Sequence, residues 1–202
     1  MRLGLFGGSF DPIHYGHIEP VKKAMSVLEL DRIVYLPTAE PPHKPGRQFA
    51  PPYARFAMVE LALLNEKRIE VSPFELTPTR SAFTIDSLLY FRGLYPECDL
   101  FLILGDDSFA ELDTWKNWRD IVEVAELAVL TRPDSSWSER KQSVPGEIAE
   151  LAESDRVHFV SNDPVAISAT ELRTLLAGDG EIPRGMLPEL VLKYIRKYSL
   201  YR

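Results

Sequence analysis

Leu3-Gly4-Leu5-Phe6-Gly7-Gly8-Ser9-Phe10-Asp11-Pro12-Ile13-His14-Tyr15-Gly16-His17 is the stretch on which the reading of this chain turns. Residues 3–6 form a short apolar run, as a buried strand requires. Gly7 and Gly8 then let the backbone turn and come close to a ligand. His14 and His17 stand three apart, which puts both imidazoles on one side of an opening helix. Pro20 fits the first turn of that helix, where proline is tolerated. A helix N-terminus presents free N–H groups and a partial positive charge, which suit phosphate. Beside neutral histidines, such amides hold a polyphosphate without a dedicated lysine loop. An isolated pair of histidines reads as readily as a helix cap or a partly buried pair. A zinc site needs three or four ligands at suitable spacing, and His43, His158 and Cys98 are scattered without pattern.

Outward from this stretch, short apolar runs alternate with helical ones. Strands are expected at Leu3–Phe6, Arg32–Leu36, Ile69–Val71, Leu100–Leu104, Leu127–Leu130 and Val157–Val160. They lack polar alternation, as strands covered on both faces do. Helices are expected at Ile18–Leu28, Tyr53–Leu64, Thr84–Leu94, about Trp118–Glu123, about Glu147–Ala152, near Thr170–Leu176 and at Pro188–Lys197. That order predicts an α/β fold with a doubly wound parallel sheet. The Pro-rich segment Thr38–Pro52 and the polar segment Pro133–Pro145 read as loops, not linkers. The expectation is one domain over 1–202, with its C-terminal helices from about residue 170.

The chain has 202 residues and a net charge of −7. The length suffices for one sizeable core. The charge argues against a broad basic face for nucleic acid. Cys98 is the only cysteine, so no internal disulfide forms. No apolar run approaches membrane-spanning length, and the start of the chain does not read as a signal peptide. The expected location is the cytoplasm. Neither a Walker lysine loop nor G-x-G-x-x-G occurs.

Ligands of open parallel sheets bind outside the carboxyl ends of the strands. Gly7-Gly8-Ser9, Pro41-Pro42-His43-Lys44, Gly105-Asp106-Asp107-Ser108, Thr131-Arg132-Pro133 and residues 161–168 all follow predicted strands. Near the end lies a second constellation, Ile167-Ser168-Ala169-Thr170-Glu171-Leu172-Arg173. Ser168 with Glu171 fits a capping box, and Gly178 fits a C-cap. Arg173, about one turn in, can reach past the helix start, where Ser168, Thr170 and free amides would meet phosphate. Glu171 puts negative charge at the same end, to be offset by Arg173 or turned away.

These motifs resemble those of the bacterial nicotinate-nucleotide adenylyltransferase family, in the nucleotidyltransferase superfamily known for its H-x-G-H motif, here His14-Tyr15-Gly16-His17. The resemblance runs nearly end to end. It includes Gly7–His17, Pro41-Pro42-His43-Lys44, Phe83-Thr84-Ile85-Asp86-Ser87-Leu88, and Gly105-Asp106-Asp107-Ser108 with Trp115 and Trp118. It continues through Ile167–Arg173 and the ending Leu187-Pro188…Tyr194-Ile195…Leu200-Tyr201. Three positions depart from the family pattern. Ala169 replaces the second Ser, Phe83 replaces Tyr, and Ser81-Ala82 replaces Pro-Ser.

The resemblance implies a Rossmann-like nucleotidyltransferase fold. It implies transfer of the adenylyl group of ATP to nicotinate mononucleotide, giving the dinucleotide and pyrophosphate. Magnesium would come with ATP, with no ligand from protein side chains and no tightly bound organic cofactor. His14, His17, Lys44 and Arg173 are the implied catalytic residues. ATP would meet Gly7, Gly8, the Ser9 and Phe10 amides, Gly105, Asp107 (toward the ribose), Arg132, Ile167, Ser168 and Thr170. The mononucleotide would meet Thr84, Trp115 and Lys44. Asp11 reads as a turn or cap residue, and Asp106 and Arg47 as solvated.

The expected partners are the small-molecule substrates ATP and nicotinate mononucleotide, with neither nucleic acid nor membrane. A homo-oligomer is compatible with the sequence, which leaves oligomeric state open. The rival readings are a related transferase preferring the amide mononucleotide, one using another phosphate-bearing acceptor such as phosphopantetheine or, with CTP, glycerol phosphate, and a nucleotide sensor without turnover.

Overall fold

The computed structural model describes residues 1–39, 49–76, 83–131, 137–162, 167–178 and 182–202. The apolar runs become β1 (Arg2–Gly8), β2 (Arg32–Pro37), β3 (Ile69–Val71), β4 (Asp99–Gly105), β5 (Glu126–Thr131) and β6 (Val157–Ser161). They form one all-parallel sheet in the order β3-β2-β1-β4-β5-β6. This is the doubly wound order, whose direction of winding reverses between β1 and β4. Those two strands pair in register from Arg2↔Asp99 to Phe6↔Ile103. Their carboxyl ends therefore run out side by side.

The helices are α1 (Tyr15–Val27), α2 (Pro52–Leu63), α3 (Thr84–Leu94), α4 (Asp106–Ala110), α5 (Trp118–Val124), α6 (Trp137–Arg140), α7 (Gly146–Leu151), α8 (Ala169–Ala177) and α9 (Glu189–Lys197). No helix among the described residues is long and apolar enough to cross a membrane.

The chain divides into two compact units, each built from three stretches of sequence. One comprises Met1–Gly7, Pro20–Val34 and Phe83–Pro164. Leu3, Leu5, Leu100–Leu104 and Leu127–Val129 are buried there without a polar interruption, because both faces of a parallel sheet are covered. Each such Leu, Ile or Val side chain contributes about 1.5–3 kcal/mol relative to exposure. The other unit comprises Gly8–Glu19, Tyr35–Ala82 and Val165–Arg202. Its core includes Phe10, Ile13, Tyr35, Met58, Val59, Leu172, Val191 and Ile195.

Three sequence expectations are corrected. α1 begins at Tyr15, so Pro20 is its sixth residue and not a first-turn proline. Pro20 has no N–H to return to the Gly16 carbonyl, four residues back. Asp106–Ala110 is helical, a single turn too short for its periodicity to be read. Trp137–Arg140, inside the segment expected to be loop, is also helical. Trp137 packs there at a tilt against Phe109 at 5.0 Å and Phe159 at 5.3 Å between ring centroids.

Candidate active site

The loop from β1 into α1 is almost entirely buried, although it is rich in polar residues. Phe10 takes φ 45°, a strained backbone for a side chain with a Cβ. Its ring is buried and meets His17 edge-on at 5.4 Å and Tyr35 at 5.5 Å. A Cβ on Gly8 would lie 2.9 Å from the Phe10 ring, so only glycine leaves that ring its place. The Tyr35 hydroxyl donates to the His17 carbonyl at 2.9 Å. Full burial, with Glu19 and Glu66 adding negative charge, pushes this phenol well above its usual range and keeps it a donor.

His14 precedes α1 and His17 lies in its first turn, with the His17 N–H donating to the His14 carbonyl at 2.8 Å. The two imidazoles stack 3.8 Å apart and 28° from parallel. Burial lowers the His14 pKa from 6.5 to about 4, because a charged ring loses its hydration there. His14 is thus neutral at pH 7. Its Nδ1 is buried with no hydrogen-bond partner among the described residues, an orphaned polar atom where a ligand contact is expected. A Cβ on Gly16 would lie 2.9 Å from the His14 ring and 3.5 Å from the Ile167 carbonyl. Glycine in the H-x-G-H motif therefore serves close packing.

That Ile167 contact brings the second motif to the first. α8 is capped by Ser168, whose side chain accepts from the Thr170 N–H at 3.2 Å. The expected capping-box position of Glu171 is exposed. Gly178 ends α8 as expected, in extended and not left-handed conformation. Arg173 donates from Nη1 to the Asp11 carbonyl at 2.6 Å and from Nη2 to Thr170 Oγ1 at 2.9 Å. Ser9, Phe10, His14, His17, Ile167, Ser168, Thr170 and Arg173 thus belong to one unit.

Asp11 lies in a turn, as expected, and its carboxylate also reaches segments far away in sequence. It is 1% exposed and its Oδ1 accepts from the Ala50 N–H at 3.0 Å and the Tyr201 hydroxyl at 2.8 Å. Arg55, which sequence reasoning passed over, is 0% exposed. It donates to four backbone carbonyls: Ala50 at 2.9 Å, Ser9 at 2.6 Å, Thr38 at 2.7 Å and Ala39 at 2.7 Å. Its one visible signal is an arginine near the start of a mostly apolar helical stretch.

In the other unit, Gly7 stands next to last in β1 and Gly105 ends β4, and a Cβ on either would meet nothing within 4 Å. Asp106 is buried and not solvated: its Oδ1 accepts from the Asp107 N–H at 3.0 Å, and its Oδ2 lies 3.8 Å from Arg140. Asp107 is exposed and pairs with Arg140. The sequence carries no sign of Arg140's role, because its four-residue helix is too short to show a period. Thr84 opens α3 after Phe83, over whose ring Lys116 Nζ sits at 4.2 Å. Trp115 is half-buried, and its backbone N–H donates to the Leu112 carbonyl at 3.0 Å. Lys44, Arg132, Arg47 and the Pro41-Pro42-His43-Lys44 loop lie outside the described residues.

Residues 5–175 match the model of the cytidylyltransferase-like family. The chain is 38% identical over its full length to the full length of a protein of Solibacter usitatus named "probable nicotinate-nucleotide adenylyltransferase". It is 37% identical over its full length to 97% of a protein of the same name from Pseudomonas aeruginosa. Among solved structures, the nicotinic acid mononucleotide adenylyltransferase of Plasmodium falciparum, complexed with NaAD, superposes with a TM-score of 0.79 at 20% identity. That match covers 99% of this chain and 97% of the other, and it carries the fold. With cytidylyltransferase-like architecture over most of its length and relatives matched end to end, this chain belongs to the nicotinate-nucleotide adenylyltransferase family.

Proposed function

We propose that this protein transfers the adenylyl group of ATP to nicotinate mononucleotide, releasing pyrophosphate and nicotinate adenine dinucleotide, as a single nucleotidyltransferase domain. A phosphate oxygen of the mononucleotide attacks the α-phosphorus of ATP. A new P–O bond forms, the bond from the α-phosphorus to the bridging oxygen breaks, and pyrophosphate leaves with that electron pair. The attacking phosphate is already anionic, so no protein nucleophile or base is required. Catalysis then consists of holding two polyanions in line and stabilising the charge that develops.

The observation that carries this reading is the meeting of the two phosphate-type motifs: Arg173 bonded to the Asp11 carbonyl, and Ile167 packed on Gly16 beside the stacked histidines. His14 and His17 are assigned to the α- and β-phosphates, Arg173 to the end that becomes pyrophosphate, and Lys44 to a phosphate of either substrate. Each well-placed donor contributes about 3 kcal/mol to such a transition state. Gly7, Gly8, the Ser9 and Phe10 amides, Gly105, Arg132, Ile167, Ser168 and Thr170 are assigned to ATP, with Asp107 toward its ribose. Trp115 and Thr84 are assigned to the nicotinate ring and its carboxylate. No group of three or more His, Cys, Asp or Glu among the described residues could hold a metal ion. Magnesium is assigned to the ATP phosphates, where it keeps most of its waters.

The test is pyrophosphate release from ATP with nicotinate mononucleotide, nicotinamide mononucleotide and phosphopantetheine as acceptors, and from CTP with glycerol phosphate. Release chiefly with the nicotinate acceptor supports the proposal. Release chiefly with another acceptor, or nucleotide binding without release, overturns it.

A further inference from the structure

We propose that Asp11 is a positioning residue for this reaction, acting through Arg173, and that Tyr201 holds Asp11 in place. The inference rests on the assignment of Arg173 to the triphosphate. It goes further by naming what aims that side chain.

Asp11 joins segments that lie 39, 162 and 190 residues away in sequence. Its Oδ1 is pinned from two directions, by the Ala50 N–H and the Tyr201 hydroxyl. Its Oδ2 is buried, has no hydrogen-bond partner among the described residues, and lies 3.7 Å from Arg173 Nη1. Its backbone carbonyl accepts from that same Nη1 at 2.6 Å. One residue thus offers Arg173 both a neutral acceptor and a negative charge. A carboxyl group so buried is costly unless it has a charge partner, and Arg173 is that partner in direct reach. Burial and the Asp11 charge raise the Tyr201 phenol far above its usual range, so its proton stays available to Asp11.

The consequence falls on the guanidinium plane. Asp11 and Thr170 engage one N–H on each terminal nitrogen of Arg173. Guanidinium has five N–H groups, so three remain for anionic oxygen once the plane is set. A planar fork presents its donors usefully only when its orientation is fixed. Without the Asp11 carboxylate, Arg173 keeps its charge and its bond to the Asp11 carbonyl but loses the negative charge that helps fix its plane, which is a loss in the transition state more than in ground-state binding.

The experiment is a double-mutant cycle on steady-state pyrophosphate release, using Asp11→Asn, Tyr201→Phe and Arg173→Ala singly and in pairs. Tyr201→Phe removes one hydroxyl and little volume, so it carries the test should Asp11→Asn fail to fold. Asp11→Asn and Tyr201→Phe are each expected to lower kcat by about tenfold, on the scale of a sub-ångström misplacement. KM for nicotinate mononucleotide should stay nearly constant. In the Arg173→Ala background the same substitutions should cost nothing further, because they act through the missing side chain. Losses that multiply in that background overturn this inference alone. A lowered Tm with unchanged kcat does the same. Full activity in Arg173→Ala overturns the assignment of Arg173 and this inference with it.

Discussion

The His14 and His17 rings stack 3.8 Å apart, and His14 is buried deeply enough to be neutral at pH 7. A lowered histidine pKa means that the unfolded chain binds the proton first as pH falls. Stability is therefore unaffected above about 6.5 and declines as pH drops toward 4. The gap from 6.5 to about 4 corresponds to about 3 kcal/mol. Urea denaturation at pH 7 and pH 4 should show the wild type losing about that much more than His14→Gln, which has no ring to titrate. Equal losses would place the buried imidazole's cost elsewhere.

His17→Ala is expected to lower kcat while leaving KM for ATP within a small factor. Its contact to phosphate should strengthen as charge develops on the α-phosphorus. By analogy with other oxyanion donors the loss is about 100-fold. A rise in KM with kcat intact would remove His17 from the transition state.

Two glycines in helices should respond oppositely to alanine. Gly93 in α3 has open space around it, so Gly93→Ala should stabilise by about 0.5–1 kcal/mol. Gly16→Ala forces a Cβ to 2.9 Å from the His14 ring, and overpacking of this kind costs about 1–3 kcal/mol. Thermal melts compare the two directly. Turnover should fall only in Gly16→Ala, because only there does an imidazole assigned to the ATP phosphates move.

Arg55→Met should be among the most damaging substitutions in the molecule. It removes a fully buried guanidinium bonded to four carbonyls, and it removes a positive charge near Asp11. Breaking one partner of a buried charged network costs about 3–5 kcal/mol. A denaturation midpoint close to wild type would show that those carbonyls find water or other donors.

Trp115→Ala should raise KM for nicotinate mononucleotide with little change for ATP, since the indole is assigned to the nicotinate ring. Stacking of this kind is worth about 1–3 kcal/mol, or roughly 5- to 150-fold. Unchanged mononucleotide affinity would take Trp115 out of the pocket.

Much of the fold was legible because burial on both faces of a parallel sheet demands continuous apolar runs. All the expected strands appear, Ile69–Val71 with the bounds expected. The long helices appear within a few residues, and Thr84–Leu94 without change. Short helices such as Asp106–Ala110 and Trp137–Arg140 span too few residues to display a 3.6-residue period. Asp106 looked solvated for the same reason, since a polar residue after a strand carries no local sign of burial. Phe10 gave no hint of its left-handed backbone, which glycine or asparagine would have announced.

Local order in the chain therefore determined the alternation of strand and helix, the glycine turn, and the histidines at the start of α1, because backbone propensity and hydrophobic period act over a few residues. Only the tertiary structure decided that Arg173 bonds to Asp11, that Tyr201 and Ala50 hold the same carboxyl, and that Arg55 binds the Ser9 carbonyl. Hydrogen bonds between residues far apart in sequence leave no periodic trace. They exist because burying polar groups obliges each to find a partner wherever the folded chain provides one.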